Sequence, residues 1–296
     1  METFRPQLIL TPTDFSETAA HALRYASALG ERFDAHLLVI YADSFMPAVD
    51  FAAIPGGSFD LAQQKMIAEA RETLEVHVEM NICASVPYEV RVVVGSPVMA
   101  IVEEACETGA DLIVMGTHGR SGLRRILLGS VTADVMRLAP APVIAVNAAT
   151  PETADVRKVL VPVTFEPLSR NALPYAAALA SAPDTPIVFL QFADDDGPLV
   201  DTLDRLFRLQ QWIPDELGDR CEFKIMPRRD ADRNIASLAK FTNSDLIALT
   251  IPEGRELGDV LRGTLAERVI RQSGCPVLTI NSFVGRPVEA AVPAYR

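Results

Sequence analysis

The sequence predicts an α/β protein of two tandem domains, each an open five-stranded parallel sheet flanked by helices. Three observations predict this. The chain of 296 residues suits two domains of roughly 150 each. Its halves repeat one another: "ADLIVMG…GSVTADVMRLAPAPVIAV" is answered by "SDLIALT…GTLAERVIRQSGCPVLTI". Asp111 and Asp245, Gly129 and Gly263, and Val143 and Val277 all lie 134 positions apart, so the correspondence needs no gap. Finally, short apolar runs alternate with amphipathic segments, and right-handed crossovers then give a parallel, doubly wound sheet.

Taken in order, the first strand is Leu8–Thr11, in "LILTPTDFSETAAHALRYASALG", followed by an alanine-rich helix over Ser16–Leu29. Strands follow at His36–Tyr41, Val90–Val94, Leu112–Met115 and Val143–Val146, apolar nearly throughout as expected of strands covered on both faces. Helices fall at about Leu61–Val78, Val98–Thr108 and Ser130–Leu138. The long stretch "DSFMPAVDFAAIPGGSF" reads as a surface loop or lid. In the second half, "VLVPVTFEPLSRNALPYAAALA" restarts the pattern at Val159. Polar, aperiodic "NAATPETADVRK" separates the halves, giving expected domains at 1–150 and 156–283 and a tail at 284–296.

Composition narrows the function classes. The formal net charge of −12 disfavours a polyanion such as DNA. No apolar run reaches the length of a membrane span, and the first residues lack the pattern of a signal peptide. The four cysteines lie far apart without CxxC or His/Cys clustering, which reads as buried reduced thiols and no metal site. A soluble cytoplasmic protein is expected.

The chemistry concentrates in "VMGTHGRSGLRRILLGSVT", at the carboxyl end of the fourth strand, where open parallel sheets bind ligands. Gly116 and Gly119 can take φ > 0 and bring backbone N–H groups close to an anion. Gly129, Ser130 and Val131 open the next helix, with Ser130 as a cap and free N–H donors that suit phosphate. Arg120, Arg124 and Arg125 add positive charge to an acidic chain, although the last two read equally well as solvated. Neither G-x-x-x-x-G-K-[ST] nor G-x-G-x-x-G occurs.

The spacing Gly116, two residues, Gly119, nine residues, Gly129–Ser130 resembles the G-2x-G-9x-G-[ST] signature of the universal stress protein family. "PTDFSETA", Pro12 to Ala19, resembles that family's first loop, and the whole chain resembles its tandem two-domain members, over about 5 to 147 closely and 156 to 281 less so. The resemblance implies a Rossmann-like, adenine nucleotide alpha hydrolase-like fold and an ATP site in the first domain, with Mg²⁺ bound through the phosphates. Of the cofactor-binding residues Pro12, Thr13 and Asp14, Asp14 would face adenine or ribose and Pro12 would shape the turn, although Asp14 reads alternatively as a cap for the helix near Ser16. Ala42, Val94 and Gly95 would border the adenine, and Met115 and Gly116 would underlie the ribose and α-phosphate. Gly119, Arg120, Gly129, Ser130, Val131 and Thr132 would surround the phosphates, and His118 is counted with the cofactor-binding residues. His118 is expected on an exposed loop, without a catalytic role.

The second copy departs from the motif. Thr250 stands for Gly116, Glu253 for Gly119 and Thr164 for Asp14; only Gly263–Thr264 keeps the helix start. A β-branched residue at φ > 0 costs roughly 1–2 kcal/mol. A like-charge contact at 4 Å costs about 4 kcal/mol at an effective dielectric of 20. Micromolar binding amounts to only about 8 kcal/mol. The expectation is therefore a nucleotide-binding first domain and a second domain kept for pairing.

The sequence shows no P-loop lysine, no GxSxG elbow and no placed base, so no catalytic residue is assigned and at most weak ATPase activity is expected. The reading is an ATP-binding stress-response regulator or sensor. A slow metal-assisted hydrolase and a scaffold that binds no nucleotide are the alternatives. "PVIAV" and "PVLTI" would form sheet edges, through which the two domains pair, and two chains would pair again as a homodimer. The downstream protein partner is not legible.

Overall fold

The computed structural model describes residues 4–43, 58–118, 128–163, 168–193, 198–211, 213–229, 231–251 and 265–284. The first half runs β1 (Leu8–Thr13), α1 (Glu17–Phe33), β2 (His36–Asp43), α2 (Ser58–Glu79), β3 (Tyr88–Val94), α3 (Pro97–Thr108), β4 (Leu112–Gly116), α4 (Ser130–Leu138) and β5 (Val143–Val146). The second runs β6 (Val159–Val163), a 3-10 turn (Leu168–Asn171), α5 (Ala172–Leu179), β7 (Ile187–Ala193), α6 (Leu199–Gln210), α7 (Asp215–Gly218), β8 (Cys221–Pro227), α8 (Ala231–Phe241), β9 (Leu246–Ile251), α9 (Leu265–Gln272) and β10 (Val277–Asn281). The expected lid lies almost wholly outside the described residues, as does nearly all of the tail.

Each half is a parallel sheet, ordered β3-β2-β1-β4-β5 in the first and β8-β7-β6-β9-β10 in the second. The two are not separate. β5 and β10 pair antiparallel, with Leu278 opposite Ile144, so all ten strands form one sheet. The pairing of the two domains through their last strands is thus as expected. The sequence follows this geometry. β5, β6, β9 and β10, in the middle, are buried at every residue, whereas the edge strands β3 and β8 alternate with exposed positions. α1, α2 and α5 cover one face around Ile9, Leu37, Val159 and Phe189, and α3, α4, α8 and α9 cover the other around Leu10, Ile113, Leu160 and Val277.

Local chemistry sets the ends of these elements. Ser16 caps α1 by accepting from Ala19 N at 3.2 Å. The helix continues past Leu29 because Gly30 is a helical contact, not a stop: a Cβ there would lie 2.7 Å from Val86 Cγ1. The left-handed cap falls instead at Asp34, φ 55°. The repeated acids fix the strand starts. Asp111 accepts from Gln7 N and Leu8 N at 2.7 and 3.0 Å, and Asp245 accepts from Arg157 N at 2.9 Å.

Side chains lock the halves together. Asn147 Nδ2 donates to the Ile270 and Ser273 carbonyls at 3.3 and 3.1 Å, while Asn281 Nδ2 donates to Met136 and Ala139 at 3.0 and 2.9 Å. The half-buried Arg32 guanidinium, at the end of α1, reaches the carbonyls of Ala154, Leu179 and Ala180. The cysteines are only partly as expected. Cys275 is buried, Cys106 and Cys221 are partly so, and Cys83 is exposed, because it sits in the turn after α2 and not on a core strand. Burial pushes the Cys275 thiol up to about 12 and the Cys221 thiol up to about 11.

Candidate functional site

In the first domain the strand order reverses between β1 and β4, which makes the carboxyl ends of these two strands the switch point at which open parallel sheets bind ligands. α1 leaves β1 through a tight turn. Phe15 takes φ 63°, Phe15 N donates to Thr13 Oγ1 at 3.1 Å, and Ser16 N donates to Asp14 Oδ1 at 3.1 Å. Asp14 therefore organises the turn, and the cap of α1 is Ser16, not Asp14 as its alternative reading had it. Pro12 is half-buried at the end of β1, and Thr13 is buried.

Gly116 ends β4 beside the first turn of α1. A Cβ on it would stand 2.9 Å from Thr18 O and 3.0 Å from Thr18 C. Its backbone does not have positive φ, contrary to the expectation for this loop. The need for glycine comes from the close approach of α1. Positive φ occurs instead at Gly95, at 146°, after β3 and with open space around its Cβ position. Val94 before it is partly exposed, Ala42 is half-buried at the end of β2, and Met115 is a core residue at 4% exposure.

α4 is fastened to the end of β4 by two bonds. Gly129 N donates to Thr117 O at 2.8 Å, and Thr132 Oγ1 donates to Gly116 O at 2.8 Å. The helix N-cap is Gly129; Ser130 is the first helical residue and exposed, not the cap, which corrects its expected role. The Thr132 hydroxyl is committed to Gly116, so Thr132 positions the helix. The first N–H groups of any α-helix lack intrahelical acceptors, and here those of Ser130, Val131 and Thr132 belong to the helix start held at the carboxyl end of β4.

His118 corrects another expectation. It is half-buried, not exposed: Nδ1 meets Thr117 Oγ1 at 2.8 Å, and Nε2 is buried without a hydrogen-bond partner among the described residues. Burial lowers its pKa, favouring the neutral ring. Gly119 and Arg120, with Arg124 and Arg125, lie outside the described residues. The sequence reading missed Thr18 and His77. His77, on α2, places Nε2 at 3.2 Å from Thr13 Oγ1 and stacks edge-on to Phe15 at 5.2 Å. Burial lowers its pKa while Asp14 and Glu17 pull it up. No spacing signal links His77 to β1, since the contact spans the whole intervening β2–α2 unit.

Strand register identifies the counterparts in the second domain. Ile9 faces Leu112 as Val159 faces Leu246, and Thr13 faces Tyr41 as Val163 faces Gln191. Ala42 is thereby matched by Phe192, which is fully buried in the core, and Gly95 by Arg228. Thr250 replaces Gly116, and its Oγ1 is buried without a hydrogen-bond partner among the described residues. Glu253, Gly263 and Thr264 are outside the described residues.

Comparison with known proteins agrees with this architecture. Residues 7–147 and 155–281 each match the profile of the universal stress protein family. Universal stress protein MJ0531 of Methanocaldococcus jannaschii is 37% identical over 140 residues, covering 47% of this chain and 81% of that protein. MJ0577 of the same organism is 32% identical over 154 residues, covering 47% and 93%. A crystal structure of a universal stress protein from Archaeoglobus fulgidus superposes with a TM-score of 0.68 at 20% identity, over 94% of this chain and 99% of that one, a likeness of fold. With the profile matched twice in succession and each half folded as the same five-stranded unit, the chain belongs to the universal stress protein family as a tandem two-domain member.

Proposed function

We propose that the first domain binds ATP, with Mg²⁺ held through the phosphates, and that the protein is a nucleotide-responsive regulator of the stress response. The observation that carries this reading is the joint between β4 and α4. The bonds from Gly129 and Thr132 hold the N-terminus of α4 at the carboxyl end of β4, beside His118, whose buried Nε2 has no hydrogen-bond partner among the described residues. Backbone donors, a helix N-terminus and an orphan ring nitrogen form a set that suits a phosphate chain. Gly116 lets α1 pack closely against the end of β4, and Pro12, Thr13, Asp14, Ala42, Val94 and Gly95 stand at the neighbouring strand ends, where the sugar and base would lie. The second domain has Phe192 where the first has Ala42 and Thr250 where it has Gly116, so its role is pairing and dimerisation. ATP acts as a ligand that favours one state of the cleft, to the extent that it binds that state better.

Calorimetry with Mg²⁺ and ATP tests this. Wild type and Thr264→Ala should bind one ATP per chain, and Gly119→Val, with an unchanged circular dichroism spectrum, should bind none. Absence of binding by wild type, or undiminished binding by Gly119→Val, would overturn the assignment.

A further inference from the structure

The joining of β5 to β10 uses up the strands through which the sequence leads one to expect pairing. A homodimer of this chain therefore needs another surface. α6 supplies one. It lays Leu206 and Leu209 against the sheet, yet exposes Val200 at 61%, Leu203 at 47% and Phe207 at 62%. These fall at i, i+3 and i+7, one stripe along the solvent side of the helix. Ile225, exposed on β8, lies on the same sheet face as Phe223, the face that α6 covers. A large apolar stripe of this kind marks an interaction surface more often than an idle one.

The charges select the occupant. At about 100° per residue, Asp201, Asp204 and Arg208 run along one flank of the stripe, and Gln210 lies on the other. Two helices packed antiparallel about a two-fold axis set each flank against its own reversed copy. The acidic start of the flank then meets the basic end: Asp201 lies beside Arg208 of the second copy, and the reverse. Parallel packing would set the charged flank against the uncharged one. We infer that α6 is a self-association surface on which a second copy of this chain docks antiparallel, stripe to stripe. The inference rests on the dimerising role proposed above for the second domain and is independent of nucleotide binding. One helix of 12 residues is about 18 Å long, so the contact is smaller than the roughly 800 Å² per partner of a standard interface, and association in the tens of micromolar is expected.

Sedimentation velocity of the full chain, from low to high micromolar concentration, tests it with Phe207→Glu, Asp201→Arg, Arg208→Asp and the double swap. These are surface changes, and thermal melting verifies folding. The expected result is a concentration-dependent dimer that Phe207→Glu abolishes. Each single charge swap should weaken it by roughly three- to tenfold, because one swap alters both symmetric pairs, and the double swap should restore it. A dimer indifferent to all four variants would overturn the α6 surface while leaving dimerisation standing. A monomer at every concentration would overturn both. A dimer lost in Phe207→Glu but not restored by the double swap would overturn the antiparallel arrangement.

Discussion

Asn147 and Asn281 make the same connection in opposite directions. Each stands at the end of its domain's last strand, donates its amide to the carboxyl-terminal carbonyls of the other domain's last helix, and accepts the N–H two residues on with its own Oδ1. The pair is a reciprocal clamp about the β5–β10 seam. Asn281 is the more deeply placed, at 5% exposure. Asn281→Ala should therefore cost about 2–3 kcal/mol, since it strips partners from two carbonyls in a buried setting. Asn147→Ala should cost less. Urea denaturation of both variants and the double mutant measures the costs and any coupling.

Gly116 and Gly95 need glycine for different reasons, and a size series separates them. At Gly116 the obstacle is the backbone of Thr18, so destabilisation should grow from alanine to valine, beginning at about 1–3 kcal/mol. At Gly95 the obstacle is φ and the surroundings are open, so alanine alone should incur most of the cost, about 1–2 kcal/mol. Urea midpoints for the four variants give the two profiles. Equal profiles would contradict the distinction.

Thr132→Val keeps the side-chain shape and removes the bond to Gly116 O. The expected loss is about 1–2 kcal/mol of stability, with Thr132→Ser retaining most of it. Because this bond fixes α4 against β4, Thr132→Val should also weaken ATP binding in calorimetry more than Ser130→Ala, whose side chain is exposed and makes no cap.

His77 and His118 are both held below their usual pKa of 6.5 by burial. A histidine depressed in the native state binds fewer protons folded than unfolded. Stability therefore rises with pH across the interval between the native and unfolded values. The native state should lose ground as pH falls from 6.5 through the lowered native values, and His77→Gln should flatten that part of the profile. Thermal melts of wild type and His77→Gln at pH 7.5, 6 and 5 are the measurement. A parallel fall in both proteins would assign the slope to groups other than His77, His118 among them.

What the sequence disclosed follows from what period and spacing can carry. The succession of strands and helices, the internal repeat and the location of the glycine-rich turn all leave local patterns, and α4 and β5 begin and end where periodicity places them. Gly116 was legible as special but not for its reason, because the contact with Thr18 joins residues almost a hundred positions apart. His118 looked exposed because it follows a strand in a polar stretch, and its burial depends on how α4 returns to β4. The two asparagines occupy matching places in the repeat. Their function became readable only with the antiparallel seam, which no local pattern encodes.

The fusion of the two sheets also changes how the seam responds to dilution. Were β5 and β10 on separate molecules, their ladder would dissolve as protein became scarce. Joined by the short segment between Val146 and Val159, each domain meets the other at an effective concentration on the order of millimolar. The doublet persists at any abundance of the protein, which leaves only contacts between whole chains to report how much of it a cell contains.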